Sequence, residues 1–223
     1  MSELGRRLVE ERARQRWGRL NRDRWRAVLK HGGSSVLDVG CSSGGYVREL
    51  AAAGRTASGT DLLLDPAWTS LPGAFRVADV RALPFADDAF DTLLAFEILE
   101  HVPGPGAALR ELHRVCRENL ILSVPNCEIP EILRSSGLAF HHWVDRTHVN
   151  FFTRQSITEY LRQAGFRTVD LRLINPIAPA APALHALGIP FGLSVFLGGV
   201  FRAISPRRYR MTLPIVADKV VSA

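Results

Sequence analysis

From Ser34 to the C-terminus, apolar runs of strand length alternate with stretches whose apolar residues recur every three or four positions. SSVLDVG (34–40), TASGTD (56–61), GAFRVADV (73–80), FDTLLAF (90–96), ENLILSVPN (118–126), TVDLRLI (168–174) and RMTLPIVADKVV (210–221) read as strands. GYVRELAAAG (45–54), GAALRELHRVC (106–116) and TRQSITEYLRQAGF (153–166) read as helices. Leu109, Leu112 and Val115 share one face of the second, while Thr153 caps the third and Gly165 closes it. Strands with almost no polar interruption, separated by helices, predict a sheet covered on both faces. The expected fold is therefore α/β: Rossmann-like and doubly wound, with a seven-stranded, mostly parallel sheet and helices on both sides.

Two segments fall outside that alternation. Residues 1–33 place Leu4, Leu8, Trp17, Leu20, Trp25 and Val28 at roughly helical spacing and end on Gly32-Gly33, which predicts a basic helical segment ahead of the main domain, 34–223. Residues 174–210 are apolar and broken by proline, and their longest clean piece, Phe191 to Ile204, has 14 residues. A membrane span needs about 20, so this reads as a helical insertion before the last strand. It either packs on the sheet or, with Arg207, Arg208 and Arg210 following, lies against a lipid surface or a greasy substrate.

Charge sharpens the first segment. The chain of 223 residues has a net charge of +6, and residues 1–30 hold ten Arg or Lys against four Asp or Glu, leaving 18 of each in the remainder. Such a helix is a solvated face or an attractor for RNA or anionic lipid. The three cysteines, Cys41, Cys116 and Cys127, form no CxxC pair. Neither a disulfide framework nor a structural zinc site is expected. The polar, Arg-rich N-terminus has no apolar leader core, so the expected location is cytoplasmic, with membrane association left open.

The chemistry concentrates in VLDVGCSSGG, Val36 to Gly45. The spacing approaches the dinucleotide fingerprint G-x-G-x-x-G, but Ser42 holds the middle glycine position and Asp38 lies beneath the turn. Phosphate would be repelled by that carboxylate. A ligand with an ammonium group and no phosphate answers both departures, as S-adenosylmethionine does. A nicotinamide dehydrogenase is disfavoured by the same two residues.

Together with GTD (59–61), ADVRALPF (78–85) and FDTLLAFEILEHV (90–102), this turn resembles the ordered motifs of the class I SAM-dependent methyltransferases over about residues 34–173. The resemblance implies S-adenosylmethionine as cofactor. Gly40, Cys41 and Gly44 would form the turn, Asp38 would face the ammonium and Asp61 would accept from the ribose hydroxyls. Leu62 and Phe96 would flank the cofactor, Asp79 would accept from the adenine amine, and the Val80 backbone would meet the ring.

FEILEH adds a second constellation. Glu97, Glu100 and His101 have i, i+3 and i+4 spacing, which on a helix is one face. Two carboxylates and an imidazole suit Mg²⁺ or Mn²⁺, with Zn²⁺ also conceivable. The E-x-x-E-H run is similar to that of O-methyltransferases of the ubiquinone pathway and of those that methylate the terminal ribose of small RNAs. VPNCE (124–128) and HHWVDRTHVNFFT (141–153) resemble the downstream region of the second group, which implies His148 as a further ligand beside Glu97, Glu100 and His101. Without metal, Glu97 would contact cofactor or substrate, and His101, His142 and His148 are the candidate bases. No NPPY-like motif follows the fourth strand, so an oxygen acceptor is expected.

The leading expectation is O-methylation of a small hydroxylated or lipid-linked acceptor. The alternatives are a metal-dependent RNA ribose 2'-O-methyltransferase and a non-catalytic SAM-binding partner protein.

Overall fold

The computed structural model describes residues 20–128, 145–176, 180–204 and 210–220. The N-terminal positions before Leu20, His142, Arg207 and Arg208 lie outside the described residues. In chain order the elements are α1 (Arg22–His31), β1 (Ser35–Val39), α2 (Gly45–Ala52), β2 (Thr56–Asp61), a 3₁₀ turn (Pro66–Ser70), β3 (Phe75–Val77), β4 (Phe90–Phe96), a 3₁₀ turn (Leu99–His101), α3 (Pro105–Val115) and β5 (Cys116–Pro125). Then come α4 (Arg154–Gln163), β6 (Phe166–Leu171), β7 (Ile174–Pro176), α5 (Ala180–Ala186), α6 (Phe191–Ile204) and β8 (Arg210–Lys219).

The sheet runs β3-β2-β1-β4-β5-β8-β6, with β7 also paired to β8. β1 to β5 are mutually parallel, and β8 slots antiparallel between β5 and β6. The alternating pattern predicted this mostly parallel sheet. TVDLRLI, read as one strand, is divided: β6 ends at Leu171, and Ile174 begins the short β7 opposite Thr212.

The two faces follow from side-chain alternation along each strand. Leu37, Leu93, Leu120 and Leu122 point one way, into a core with Leu109, Leu112 and Val115 of α3 and Ile157 and Leu161 of α4. Val36, Leu94 and Ile121 point the other way, against Leu50 of α2 and Val28 of α1. Truncating a fully buried leucine such as Leu109 to alanine costs about 2–5 kcal/mol. The basic N-terminal helix is thus part of the second core face: Asn21 caps it by accepting from the Asp23 and Arg24 N–H groups, and Arg55 holds its last turn by donating to the Val28 and Gly32 carbonyls. Thr153 and Ser156 form a reciprocal capping box on α4. The insertion is a helical hairpin, α5 and α6, that packs mainly on itself rather than on the sheet.

Because β1 and β4 are central neighbours whose crossovers run in opposite directions, their carboxyl ends form the switch-point crevice where ligands bind in such sheets.

Candidate active site

The turn after β1 is set by backbone conformation. Gly40, Ser42 and Gly44 all have positive φ (73°, 48° and 81°). A Cβ on Gly40 would collide with the Ile98 side chain, and one on Gly44 with the Phe75 ring, so both glycines serve close packing as well as turning. Ser42 has no such excuse of size, and its left-handed backbone costs on the order of 1 kcal/mol. It is held from both sides. Its N–H donates to Asp61 Oδ2 at 2.9 Å, and its carbonyl accepts from Trp68 Nε1 at 2.8 Å. Trp68 is itself buried and stacked on Phe75, with ring centroids 5.1 Å apart. The Gly40 and Cys41 N–H groups both donate to the Thr60 carbonyl. Asp38 is buried at the end of β1. Burial, and then the nearby Asp61 charge, raise its carboxyl to about 8.

A crevice of about 110 Å³ opens beside this turn. Gly40, Asp61, Leu62, Asp79, Val80 and His101 line it, together with Ile98, Arg81 and Val102. Six residues proposed from sequence therefore meet in one cleft. Asp79 is engaged by Arg81, whose Nη2 lies 2.6 Å from Oδ2, and this contact lowers the Asp79 pKa. Phe96 sits elsewhere, 4.9 Å from the Tyr46 ring on the α1–α2 side, with the Arg24 guanidinium 5.3 Å from its ring centre.

The E-x-x-E-H residues do not share a helical face. Only Leu99–His101 forms a turn, and Glu97, at φ 55°, precedes it in a left-handed conformation. Glu97 consequently swings toward α1, where its Oε1 accepts from Arg24 Nη2 at 2.5 Å and from Ser123 Oγ at 2.9 Å. Glu100 is buried, and neither carboxylate oxygen has a hydrogen-bond partner among the described residues. Burial and the neighbouring Glu97 charge hold its pKa well above the usual carboxylate range.

His101 Nδ1 lies 3.2 Å from the Thr147 carbonyl, and Nε2 lies 4.0 Å from Glu100 Oε1. Burial lowers the His101 pKa. The His148 ring centroid is 4.7 Å away, and Asp145 Oδ2 is 3.8 Å from His148 Nε2. One ligand atom each from Glu100, His101 and His148 lies within 4.8 Å of the others. Glu97, the fourth ligand expected from sequence, is outside this group. The downstream segment is fastened here by Asn150, whose Nδ2 donates to the Leu99 and Val102 carbonyls.

A family model described as a methyltransferase domain matches residues 9–171. The chain belongs to this family. It is similar to an uncharacterized methyltransferase of Mycobacterium marinum, 38% identical over 91 residues that cover 38% of this chain and 36% of that protein. A second relative, Rv0224c of Mycobacterium tuberculosis, is 37% identical over the same length. The chain thus matches little more than a third of these curated relatives.

Among solved structures, it resembles a 1,6-didemethyltoxoflavin-N1-methyltransferase of Burkholderia thailandensis with bound S-adenosylhomocysteine: TM-score 0.65, 21% identity, covering 98% of this chain and 88% of that one. A SAM-dependent methyltransferase of Archaeoglobus fulgidus matches with TM-score 0.60 and 17% identity, covering 88% and 92%. The [4+2]-cyclase SpnF shares the fold at TM-score 0.55 and 20% identity, covering 88% and 80%. The fold is that of the class I SAM-dependent methyltransferases, and its neighbours span an N-methyltransferase and a cyclase, so the site must decide the chemistry.

For this methyltransferase domain, sequence reading missed Arg24, Trp68, Ser123 and Asn150. Each acts across a long sequence separation. Asn150, inside HHWVDRTHVNFFT, and Ser123, inside ENLILSVPN, lay in stretches already singled out, but neither residue was picked.

Proposed function

We propose that this methyltransferase moves a methyl group from S-adenosylmethionine to a hydroxyl of a small or lipid-linked acceptor. The observation that supports this most is His101, on the wall of the crevice that also presents Asp61 and Asp79. Its Nδ1 faces a carbonyl and therefore carries the ring proton, which leaves Nε2 with a free lone pair. The lowered pKa keeps the ring neutral near pH 7. A neutral imidazole on the crevice wall with an unprotonated nitrogen is suited to act as a general base.

S-adenosylmethionine supplies a methyl carbon on a sulfonium: the acceptor oxygen bonds to that carbon while the carbon–sulfur pair passes to sulfur. The chain's own work is orientation and proton transfer. Asp61 accepts from the ribose hydroxyls, Asp79 from the adenine amine, and the Val80 backbone meets the ring. Asp38 draws the ammonium, while Gly40, Cys41 and Gly44 allow close backbone approach and Leu62 flanks the cofactor; Phe96, packed on Tyr46 and Arg24, takes no part in this crevice. His101 Nε2 takes the hydroxyl proton.

A metal-assisted version is favoured by the buried Glu100, whose carboxylate oxygens have no hydrogen-bond partner among the described residues, beside His101 and His148. These three fit a divalent ion such as Mg²⁺ or Mn²⁺. Such an ion would bind the acceptor oxygen and lower its pKa. Base and ligand are exclusive roles for one lone pair of His101, so the versions are separable. S-adenosylhomocysteine release would be followed across phenols, sugars, lipid-linked alcohols and RNA, with and without chelator. Turnover unchanged by chelator removes the metal version; turnover only on nitrogen acceptors removes the hydroxyl reading.

A further inference from the structure

The hairpin of α5 and α6 lies beyond residue 171, where the family match ends. It is a built element. The helices cross closely at Gly198, where a Cβ would stand 2.7 Å from the Ala181 Cβ. Its turn is tied by Leu187 and Ile189 N–H donating to the Ala183 and Leu184 carbonyls, and by Ser194 Oγ donating to the Ile189 carbonyl.

Yet its large side chains face outward. Leu187 is 81% exposed, Phe191 69%, Phe196 66% and Ile204 70%, and Leu193, Val195, Val200 and Phe201 are exposed too. At about 100° per residue, the exposed apolar positions of α6 surround most of the helix, leaving only the narrow Ser194–Gly198 side against α5. A folded partner or a second copy would cover one side of such a helix. An apolar medium covers all of them.

Charge agrees with that medium. No Asp or Glu occurs between Asp170 and Asp218, while Arg172, Arg202, Arg207, Arg208 and Arg210 do. With 14 residues, α6 is about 21 Å long against a hydrocarbon core of about 30 Å. No helix among the described residues is long and apolar enough to cross a membrane.

We propose that the α5–α6 hairpin docks the protein on an anionic lipid surface, burying its phenylalanines and Ile204 in one leaflet, with the excess of arginine over acid along this stretch of sequence favouring negatively charged headgroups. This holds whatever the methyl acceptor is.

The test is flotation of the full chain with vesicles of phosphatidylcholine alone or mixed with phosphatidylglycerol. The protein should float with the mixed vesicles and several-fold less at high salt. F196S/F201S should cut the bound fraction by about tenfold or more, since it removes two inserted side chains. These are exposed positions, and unchanged thermal unfolding and S-adenosylmethionine affinity would show that the variant is folded. F196W should shift its emission to the blue on vesicle addition. No flotation, equal binding to neutral vesicles, or binding retained in F196S/F201S would each overturn the proposal. So would Phe196-dependent self-association without lipid binding, which would make the hairpin a contact between copies.

Discussion

The backbone N–H of Ser42 donates to Asp61 Oδ2 at 2.9 Å, joining the glycine-type turn after β1 to the acid at the end of β2. The bond explains how a serine occupies a left-handed position. It also gives Asp61 two tasks, one in the turn and one toward the ribose.

Relieving the backbone strain should be nearly free for the fold. S42G is expected to change stability by less than about 1 kcal/mol, with strain relief and the entropy of a new glycine opposing each other. D61A is expected to weaken S-adenosylmethionine by two orders of magnitude or so, on the scale of a lost buried charged acceptor. Denaturant unfolding checks the first and calorimetric titration the second, and undiminished affinity in D61A would contradict the assigned pocket.

Asp38 predicts a pH dependence. Its carboxyl is raised to about 8, by burial first and Asp61 second. A raised carboxyl pKa favours the folded state at low pH, so the contribution is complete below the unfolded value of about 4 and lost as pH rises through about 8. D38N removes that loss. Its melting temperature should match wild type near pH 4 and exceed it near pH 8.5, by an amount corresponding to roughly 1–3 kcal/mol. The same variant should bind S-adenosylmethionine poorly, and wild-type affinity should climb with pH toward 8.

His101 should matter to rate more than to binding. H101A is expected to lower kcat by about 10²–10⁴-fold, with S-adenosylmethionine affinity kept. If a cation is used, E100Q should fail alongside it, and Mn²⁺ binding measured directly by paramagnetic resonance should disappear in both.

Arg24 holds Glu97 through a largely buried ion pair, next to Glu100, whose pKa burial and the Glu97 charge raise. R24A leaves the largely buried Glu97 carboxylate without its cation and should destabilise the fold by about 2–4 kcal/mol. R24A/E97Q should recover part of that loss, and additive losses in denaturant unfolding would show the pair to be uncoupled.

Reading the chain in order was enough to recover the sheet, because near-continuous apolar strands and short helical repeats are local signals. The Thr153 cap, the α3 face and the glycine turn were equally legible, each needing only neighbours within a few residues. The E-x-x-E-H spacing misled for a definite reason: it assumed a helix where Glu97 takes a positive φ, and that single dihedral sends its carboxylate to Arg24 instead of to His101.

The amino-acid order by itself determined the α/β alternation, the turn with its acid beneath, and the succession of motifs along the strand ends, since all depend on spacing within one element. Tertiary structure decided the rest. It brought Trp68 to the Ser42 carbonyl, Arg24 to Glu97 and His148 to His101, and it left the α5–α6 hairpin facing outward. Those outcomes depend on which faces meet across the folded chain, and sequence separation does not encode such distances.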